Sequence, residues 1–372
     1  MPTVIDLRLA DDLRDVVHRA VQALVEGRLV VFPTETVYGI AASALDAAAV
    51  ERLCAAKERS DGHPMALAIK GLEEAIDFVP DLCPLARRLA RRCWPGPVTL
   101  VVEDAHPESL LNRLPAEVQR AVLPGKTIGL RVPGHEFFLE TLRYLAGPLV
   151  LTSANLSGQP ETTTGRDAVA AVGDRVDLVI DDGPCRYGQA SSVVKIVGNQ
   201  LEVLRAGAVP EKTLRSLACF HLVLVCTGNT CRSPMAELLS KRFLADRLGC
   251  SLAELEDRGV MVSSAGLAAA FGGRASAEAV AVMREYGLDL SGHESQPLTD
   301  SLVRQADLLL TMTRAHREAI VGHWPEAAER TLLVSPDGAD ICDPIGGPID
   351  RYRRCAAQLE KALAQRVSSL EL

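Results

Sequence analysis

Hydrophobic and polar positions follow two alternating patterns along the first part of the chain. Short runs of aliphatic and β-branched residues bounded by Gly, Pro or Asn predict strands in residues 65–70, 97–103, 127–133, 148–155 and 191–197. Between them, residues 46–58 and 82–94 have apolar positions at helical spacing. We therefore predict a mixed α/β domain over residues 1–209.

A second α/β pattern begins after a boundary at residues 207–220. Strands are predicted in residues 221–226, 260–266, 307–312 and 331–335, and helices between them in residues 234–249, 275–287 and 301–306. We expect Pro234 at the first helical position, Ser233 as the cap and Gly249 as the stop. Strands that alternate with helices predict a three-layer α/β/α domain with a parallel sheet over residues 220–372.

Composition supports two domains of ordinary globular type. The chain has 372 residues, of which 48% are hydrophobic and 24% charged, enough for two cores. A net charge of −8 argues against a protein that coats nucleic acid. The start of the chain has early acidic residues, and no apolar run is long enough for a signal peptide or a membrane span. We expect a soluble, cytoplasmic protein without membrane association.

Cys226 to Ser233 reads C-T-G-N-T-C-R-S between a predicted strand and a predicted helix. In that context successive backbone N–H groups converge on one anion at the helix N-terminus. We expect Gly228 to adopt the unusual backbone angles of such a loop. Arg232 offers a planar fork that matches two phosphate oxygens. The spacing predicts a phosphate-binding loop.

This loop would favour the thiolate of Cys226 and make it a nucleophile. The hydroxyl of Ser233 can donate to the thiolate. Phosphoryl transfer to the sulfur gives a cysteinyl-phosphate, and Ser233 then helps the sulfur leave as water hydrolyses that intermediate. Loop amides and Arg232 would stabilise the transferring phosphoryl group. Asp343, on a Pro/Gly loop before the last predicted helix, is the expected proton donor to the leaving group.

The two loop cysteines leave alternatives open. Both could be inert thiols at a strand end, whereas a zinc pair is disfavoured because the sequence has no convincing second ligand pair, so no metal is expected. Cys231 could form a protective disulfide with Cys226 on oxidation, or it could be a small residue that faces the core.

The segments VCTGNTCRSPMAE, VSSAG, LLLTMTRAH and DPIGG together resemble the low-molecular-weight protein tyrosine phosphatase family, from about Phe220 to the C-terminus. The resemblance implies a phosphoprotein substrate and no cofactor, with Cys226 as nucleophile, Arg232 as phosphate ligand and Asp343 as general acid. Asn229 would order the loop. The implied phosphate loop comprises Thr227, Gly228, Asn229, Thr230, Cys231 and Ser233.

The subfamily depends on two positions. Tyrosine-directed members often have a larger aliphatic residue in place of Thr230 and an aromatic residue after the Asp-Pro pair. Thr230 and Ile345-Gly346-Gly347 are similar to bacterial members that hydrolyse phosphoarginine. We expect phosphoarginine ahead of phosphotyrosine; a regulatory domain without phosphatase activity is the alternative.

Polar and basic residues stand near the predicted strand ends of the first domain. Several cations and hydroxyls together indicate a pocket for a polyanion and a small polar substrate. The sequence contains no G-x4-G-K-[ST] motif, so any nucleotide would bind without a Walker loop.

PTETVYG, K-x-R, GLRVP, TSANLSG, DDG, SSVV and LRAG, in this order over about residues 10–209, resemble the threonylcarbamoyl-AMP synthase family. The resemblance implies a twisted mixed-sheet fold of the YrdC/Sua5 type. It also implies ATP, L-threonine and bicarbonate as substrates, with threonylcarbamoyl-adenylate and pyrophosphate as products. That adenylate feeds N6-threonylcarbamoylation of adenosine 37 in tRNA, so tRNA and the transferase machinery would be indirect partners.

The resemblance assigns two sets of residues. Mg²⁺ would accompany ATP, held largely by phosphates and water. The alternative is a module that binds double-stranded RNA or tRNA without catalysis. The implied ATP contacts are Lys57, Arg59, Thr127, Ser153, Asn155, Thr163 and Arg205, and the implied threonine contacts are Thr34, Arg131 and Ser191.

Overall fold

The computed structural model describes residues 1–58 and 64–370. The chain divides into two compact units, Met1–Arg215 and Ser216–Leu372. The helix Glu211–Ala218 runs across this division. In the described ranges, every helix is too short or too polar to cross a lipid bilayer.

Within the described residues, the first unit contains one mixed sheet of ten strands. The strands are β1 (Thr3–Asp6), β2 (Val30–Phe32), β3 (Gly39–Ser43), β4 (Ala66–Ala68), β5 (Val98–Glu103), β6 (Thr127–Arg131), β7 (Leu149–Ser153), β8 (Leu178–Asp181), β9 (Ser192–Val197) and β10 (Gln200–Arg205). They follow the order β1-β8-β2-β3-β7-β4-β6-β5-β9-β10. This arrangement confirms the predicted mixed-sheet domain.

Helices lie between the strands along the chain, and some of them begin at polar caps. They are α1 (Leu13–Val25), α2 (Ala47–Ala56), α3 (Leu72–Phe78), α4 (Pro84–Cys93), α5 (Ala116–Val122), α6 (Glu136–Arg143), α7 (Gly165–Val172) and α8 (Glu211–Ala218). Asp12, Asp46 and Thr164 accept backbone N–H groups in the first turns of α1, α2 and α7. Apolar residues of α1 and α6, such as Leu24 and Phe138, form a core against β2 and its neighbours.

Within residues 216–370, four parallel strands form the second sheet, in the order β12-β11-β13-β14. The strands are β11 (Phe220–Cys226), β12 (Val260–Gly266), β13 (Leu308–Thr311) and β14 (Thr331–Leu333). The helices are α9 (Arg232–Leu248), α10 (Ala277–Glu285), α11 (Asp300–Gln305), α12 (Arg314–His323) and α13 (Ile349–Ser368).

Successive residues of β11 face opposite sides of this sheet. Leu222 and Leu224 pack in a core with residues of α9, α10 and α13. Val223 and Val225 pack in a second core with residues of α11 and α12. Helices therefore cover both faces, which confirms the predicted three-layer α/β/α domain with a parallel sheet.

The two ends of α9 test the predicted cap and stop. Gly249 ends the helix in the left-handed region, with φ at +62°, as predicted. The predicted cap is wrong: α9 begins at Arg232, and Ser233 is already its second residue. The hydroxyl of Ser233 bonds inside the preceding loop instead of capping the helix.

Candidate active sites

The loop between β11 and α9 is held against the end of β12. Cys226 and Thr227 accept backbone hydrogen bonds from Leu267 (3.0 Å) and Ala268 (2.9 Å). A Cβ atom on Gly266 would lie 2.5 Å from the carbonyl oxygen of Thr227. Glycine at this strand end therefore permits the close approach of the loop backbone.

Asn229 is the central residue of this loop and is fully buried. Its φ is +54°, in the left-handed region that Asn tolerates better than most residues. Its side-chain amide donates to the hydroxyls of Ser233 and Ser264, both at 2.9 Å. The prediction for Gly228 is wrong, because Asn229 and not Gly228 has the positive φ among these loop residues.

The sulfur of Cys226 lies among hydrogen-bond donors. The backbone N–H of Asn229 donates to it at 3.2 Å, and the hydroxyl of Ser233 lies 3.0 Å away. Cys226 is 3% exposed, so these contacts form where water competes little. The arrangement can stabilise a negative charge on sulfur.

Arg232 and Asp343 meet at the loop although 111 positions separate them. The guanidinium Nη2 of Arg232 donates to the carboxylate of Asp343 at 2.7 Å. The Arg232 side chain is 7% exposed and that of Asp343 is 45% exposed. The carboxyl group therefore lies at the open side of the loop, where it can reach a ligand that Arg232 binds.

His316, on α12, contacts the loop and was not predicted from the sequence. Its Nε2 lies 2.9 Å from the hydroxyl of Thr227, while its buried Nδ1 has no partner in the described part of the chain. Burial lowers the pKa of His316 and the charge of Arg232 lowers it further, whereas Asp343 opposes the shift. His316 is the last residue of the LLLTMTRAH segment that carries the family resemblance, but its distance along the chain from the Cys-x5-Arg segment does not indicate this contact.

The side chains of the two remaining loop positions differ in their surroundings. Cys231 is buried and lies 3.4 Å from the hydroxyl of Ser276 and 3.7 Å from that of Tyr352. Thr230 is partly exposed, and its hydroxyl lies 3.7 Å from the sulfur of Cys231. Cys231 thus has the environment of a core-facing residue, and its redox role stays a prediction.

The first unit contains a cavity of about 460 Å³ over one face of its sheet. Residues from β3, β4, β5, β6, β7, β9 and β10 line it, because alternate residues of each strand point to this face. The predicted site residues that line this cavity are Thr34, Thr127, Arg131, Ser153, Ser191 and Arg205.

Lys57, Ser153 and Asn155 form a buried polar cluster at the edge of this cavity. The ammonium of Lys57 donates to the carbonyl of Ser153 at 2.7 Å and to the side-chain oxygen of Asn155 at 2.9 Å. The hydroxyl of Ser153 donates to the same Asn155 oxygen at 2.6 Å. Three residues predicted to contact ATP are therefore brought together.

Arg131 and Ser191 are held by different neighbours. Arg131 donates to Glu35 and to Thr36, both at 2.8 Å, and Glu35 is as deeply buried as Arg131. The hydroxyl of Ser191 lies 3.2 Å from the Arg205 guanidinium. The cavity is therefore lined by two cations, Arg131 and Arg205, each with its own protein partners.

Not every described residue that was predicted to contact ATP lies at this cavity. Thr163 is not among its lining residues, and its carbonyl accepts a hydrogen bond from Cys185 at 2.9 Å. Arg59 lies outside the described residues. Among the described residues, the polar lining residues that the sequence prediction missed include Thr99, Thr152, Glu161, Lys195 and Glu202.

In the described residues, these two sites define an α/β protein with a cavity lined by cations and hydroxyls and a loop that surrounds a buried thiol with hydrogen-bond donors. Residues 22–207 match the Sua5/YciO/YrdC family model, described as telomere recombination. Residues 221–371 match the model of low molecular weight phosphotyrosine protein phosphatase. The chain therefore belongs to the Sua5/YciO/YrdC family through its first unit and to the low-molecular-weight phosphatase family through its second.

Similar proteins include one relative for each unit. A threonylcarbamoyl-AMP synthase of Pyrococcus abyssi is 34% identical over 215 residues, which are 56% of this chain and 60% of the relative. A protein-arginine-phosphatase of Bacillus subtilis is 38% identical over 154 residues, 40% of this chain and 96% of the relative. The solved structure of a P. abyssi Sua5 variant superposes with a TM-score of 0.52 at 25% identity, covering 71% of this chain and 91% of that one.

Proposed function

We propose that the first unit synthesises threonylcarbamoyl-AMP from L-threonine, bicarbonate and ATP, and that the second removes phosphoryl groups from proteins. The observation that carries the first activity is the cavity where the Lys57–Ser153–Asn155 cluster lies near Arg131 and Arg205. The synthase relatives support this assignment.

In the proposed synthase reaction, bicarbonate loses water to give CO2, and the threonine amine adds to this CO2 and loses a proton to form a carbamate. A carbamate oxygen then attacks the α-phosphorus of ATP, and pyrophosphate leaves. Arg131, Thr34 and Ser191 would hold threonine, whereas Lys57 and Arg205 would neutralise the phosphates. The unit's contribution is mainly to hold the reactants together, which can lower a barrier by several kcal/mol.

Mg²⁺ fits this cavity as a companion of the nucleotide. Glu161 and Glu202 line it and offer the oxygen ligands that Mg²⁺ prefers. Among residues 1–58 and 64–370, no group of three or more His, Cys, Asp or Glu side chains could hold a metal by itself. The ion would therefore rely on phosphate oxygens and water, and it would supply charge neutralisation.

Pyrophosphate release by the full-length protein tests the synthase activity. We expect release only when ATP, L-threonine and bicarbonate are all present. Lys57→Ala should abolish it, because the cluster then loses its cation. Absence of release under every condition would favour the alternative, a module that binds double-stranded RNA or tRNA.

For the second unit, the observation that supports the activity is the position of the Cys226 sulfur between the backbone N–H of Asn229 and the hydroxyl of Ser233. The Arg232 guanidinium nearby donates a hydrogen bond to Asp343. Cys226 would attack phosphorus, Asp343 would give a proton to the leaving group, and water would hydrolyse the cysteinyl-phosphate. We propose phosphoarginine as the phosphorylated residue. The small Thr230 and the arginine-phosphatase relative support this choice.

Hydrolysis of a phosphoarginine peptide and of a matched phosphotyrosine peptide, measured side by side, tests this specificity. We expect a higher kcat/KM for the phosphoarginine peptide than for the phosphotyrosine peptide. Thr230→Ile should lower the ratio of these two kcat/KM values, because the larger side chain takes the space of the guanidinium group. A preference for phosphotyrosine would overturn the proposal while keeping the phosphatase assignment. Hydrolysis of neither would favour a regulatory domain.

A further inference from the structure

Glu35 is a buried carboxylate that the proposed synthase reaction does not use. It lies between Thr34 and Thr36 in the segment that joins β2 to β3, and it is 7% exposed. A carboxylate taken out of water is costly unless donors surround it. The partners of Glu35 therefore indicate why a charge is placed there.

Both oxygens of Glu35 are engaged by groups near the cavity. One accepts from Nη2 of Arg131 at 2.8 Å, and the other accepts from the backbone N–H of Gly134 at 2.7 Å. The same Nη2 atom donates to the hydroxyl of Thr36 at 2.8 Å. The Nη2 atom of Arg131 is thus held by two residues, Glu35 and Thr36, of the segment between β2 and β3.

Another donor of this guanidinium is left without a partner. Nε of Arg131 is buried and has no hydrogen-bond partner among the residues that the structure describes. A buried donor without a hydrogen-bond partner is costly. Since Arg131 lines the cavity, an anionic group bound there could satisfy the donor.

We propose that Glu35 is a positioning residue, which orients the Arg131 guanidinium to receive the carboxylate of the amino-acid substrate. This inference rests on the proposed synthase function. Glu35 does not touch the substrate; it removes the freedom of Arg131 before the substrate arrives, so less entropy is lost on binding. Its negative charge also balances the buried cation when the cavity is empty.

Steady-state pyrophosphate release by the full-length Glu35→Gln variant tests this role. The amide keeps the shape but removes the charge, and it cannot accept from both Arg131 and Gly134. We expect the KM for L-threonine to rise about ten- to a hundredfold, the effect of weakening a charged hydrogen bond, with the KM for ATP within about twofold of wild type. Glu35→Asp, which keeps the charge, should recover part of the loss.

A substrate pair separates positioning from general damage. L-threonine methyl ester has no carboxylate charge, so the ratio of kcat/KM for L-threonine to that for the ester should fall in Glu35→Gln. A merely structural defect would lower both values equally, and that result would overturn the proposal. Glu117→Gln is the matched control, since Glu117 pairs with Arg120 on the exposed side of α5, and it should behave as wild type.

Two further measurements keep the test decisive. If Glu35→Gln does not fold, Thr36→Val removes the other acceptor of Nη2 and should raise the KM for L-threonine in the same direction but by less. If the wild-type protein releases no pyrophosphate, the synthase assignment fails first. Calorimetric titration of both proteins with L-threonine then decides. Weaker binding by Glu35→Gln than by wild type supports the positioning role. Equal binding by the two proteins, or no binding by wild type, overturns it.

Discussion

The two candidate sites differ in how their residues are distributed along the chain. In the second unit, Cys226 to Ser233 surround the sulfur, and Asp343 and His316 reach the loop from elsewhere. In the first unit, the described lining residues extend from Thr34 to Arg205 and come from seven strands and from segments between strands.

This difference should change how each site tolerates amino-acid substitutions. In the phosphate loop, the sulfur of Cys226 contacts Asn229 and Ser233, which also bond to each other. In the cavity, the ammonium of Lys57 contacts four acceptor oxygens of Ser153 and Asn155, so loss of one acceptor leaves the others. We therefore expect loss of the thiol in the loop to be more damaging than loss of one acceptor of Lys57 in the cavity.

The largest expected effect comes from Cys226→Ser. Loss of the nucleophile should lower phosphatase kcat by roughly 10⁴-fold or more, while pyrophosphate release by the same preparation stays within about twofold of wild type. Both activities are measured on full-length protein. A loss of both activities would contradict the separation of the two sites. Phosphatase activity that survives the substitution would show that Cys226 is not the nucleophile.

Gly266→Ala should have the next largest effect. The new Cβ would lie 2.5 Å from the carbonyl oxygen of Thr227 and 3.0 Å from the backbone nitrogen of Asn229, so the loop backbone must move. We expect phosphatase kcat to fall about a hundredfold, as for a displacement near 1 Å. Gly292→Ala is the control, because its Cβ would meet nothing within 4 Å. Equal activity in the two variants would contradict the close approach.

Ser153→Ala probes the dispersed site and should have a milder effect. The variant loses the hydroxyl that donates to Asn155, but Lys57 keeps the carbonyl of Ser153 and the side chain of Asn155. We expect the KM for ATP to rise about tenfold or less, from pyrophosphate release at varied ATP. A loss as complete as that expected for Lys57→Ala would show that the cavity is no more tolerant than the loop.

The smallest effect concerns pH and His316. Its pKa in the folded protein is below the ordinary value of 6.5, so the unfolded chain takes up the proton first. The associated stability is present above pH 6.5 and is lost as the pH falls through the folded pKa. His316→Asn should reduce the drop in Tm between about pH 7.5 and pH 5.5 by about 1–3 °C, measured by calorimetry. A steeper drop in the variant would contradict the sign.

Much of the fold could be predicted because its signals are local. The predicted strands at residues 148–155 and 221–226 correspond to β7 and β11, and Gly249 ends α9 as its position indicates. The predictions of the helix cap and of the loop's backbone angle were wrong, because residues that suit one local role make other contacts in the folded loop. Ser233 reads as a helix cap, but its hydroxyl bonds to the neighbouring sulfur and amide, and Asn229 takes the backbone angle expected of Gly228.

The sequence by itself determined that Cys226 and Arg232 lie at the two ends of one loop between a strand and a helix, because only five residues separate them. Only the tertiary structure decided that His316 contacts Thr227 and that Glu35 holds Arg131, 96 positions away. Such contacts depend on strand order and register, which bring distant residues together through many weak packing interactions and leave no spacing to be read along the chain.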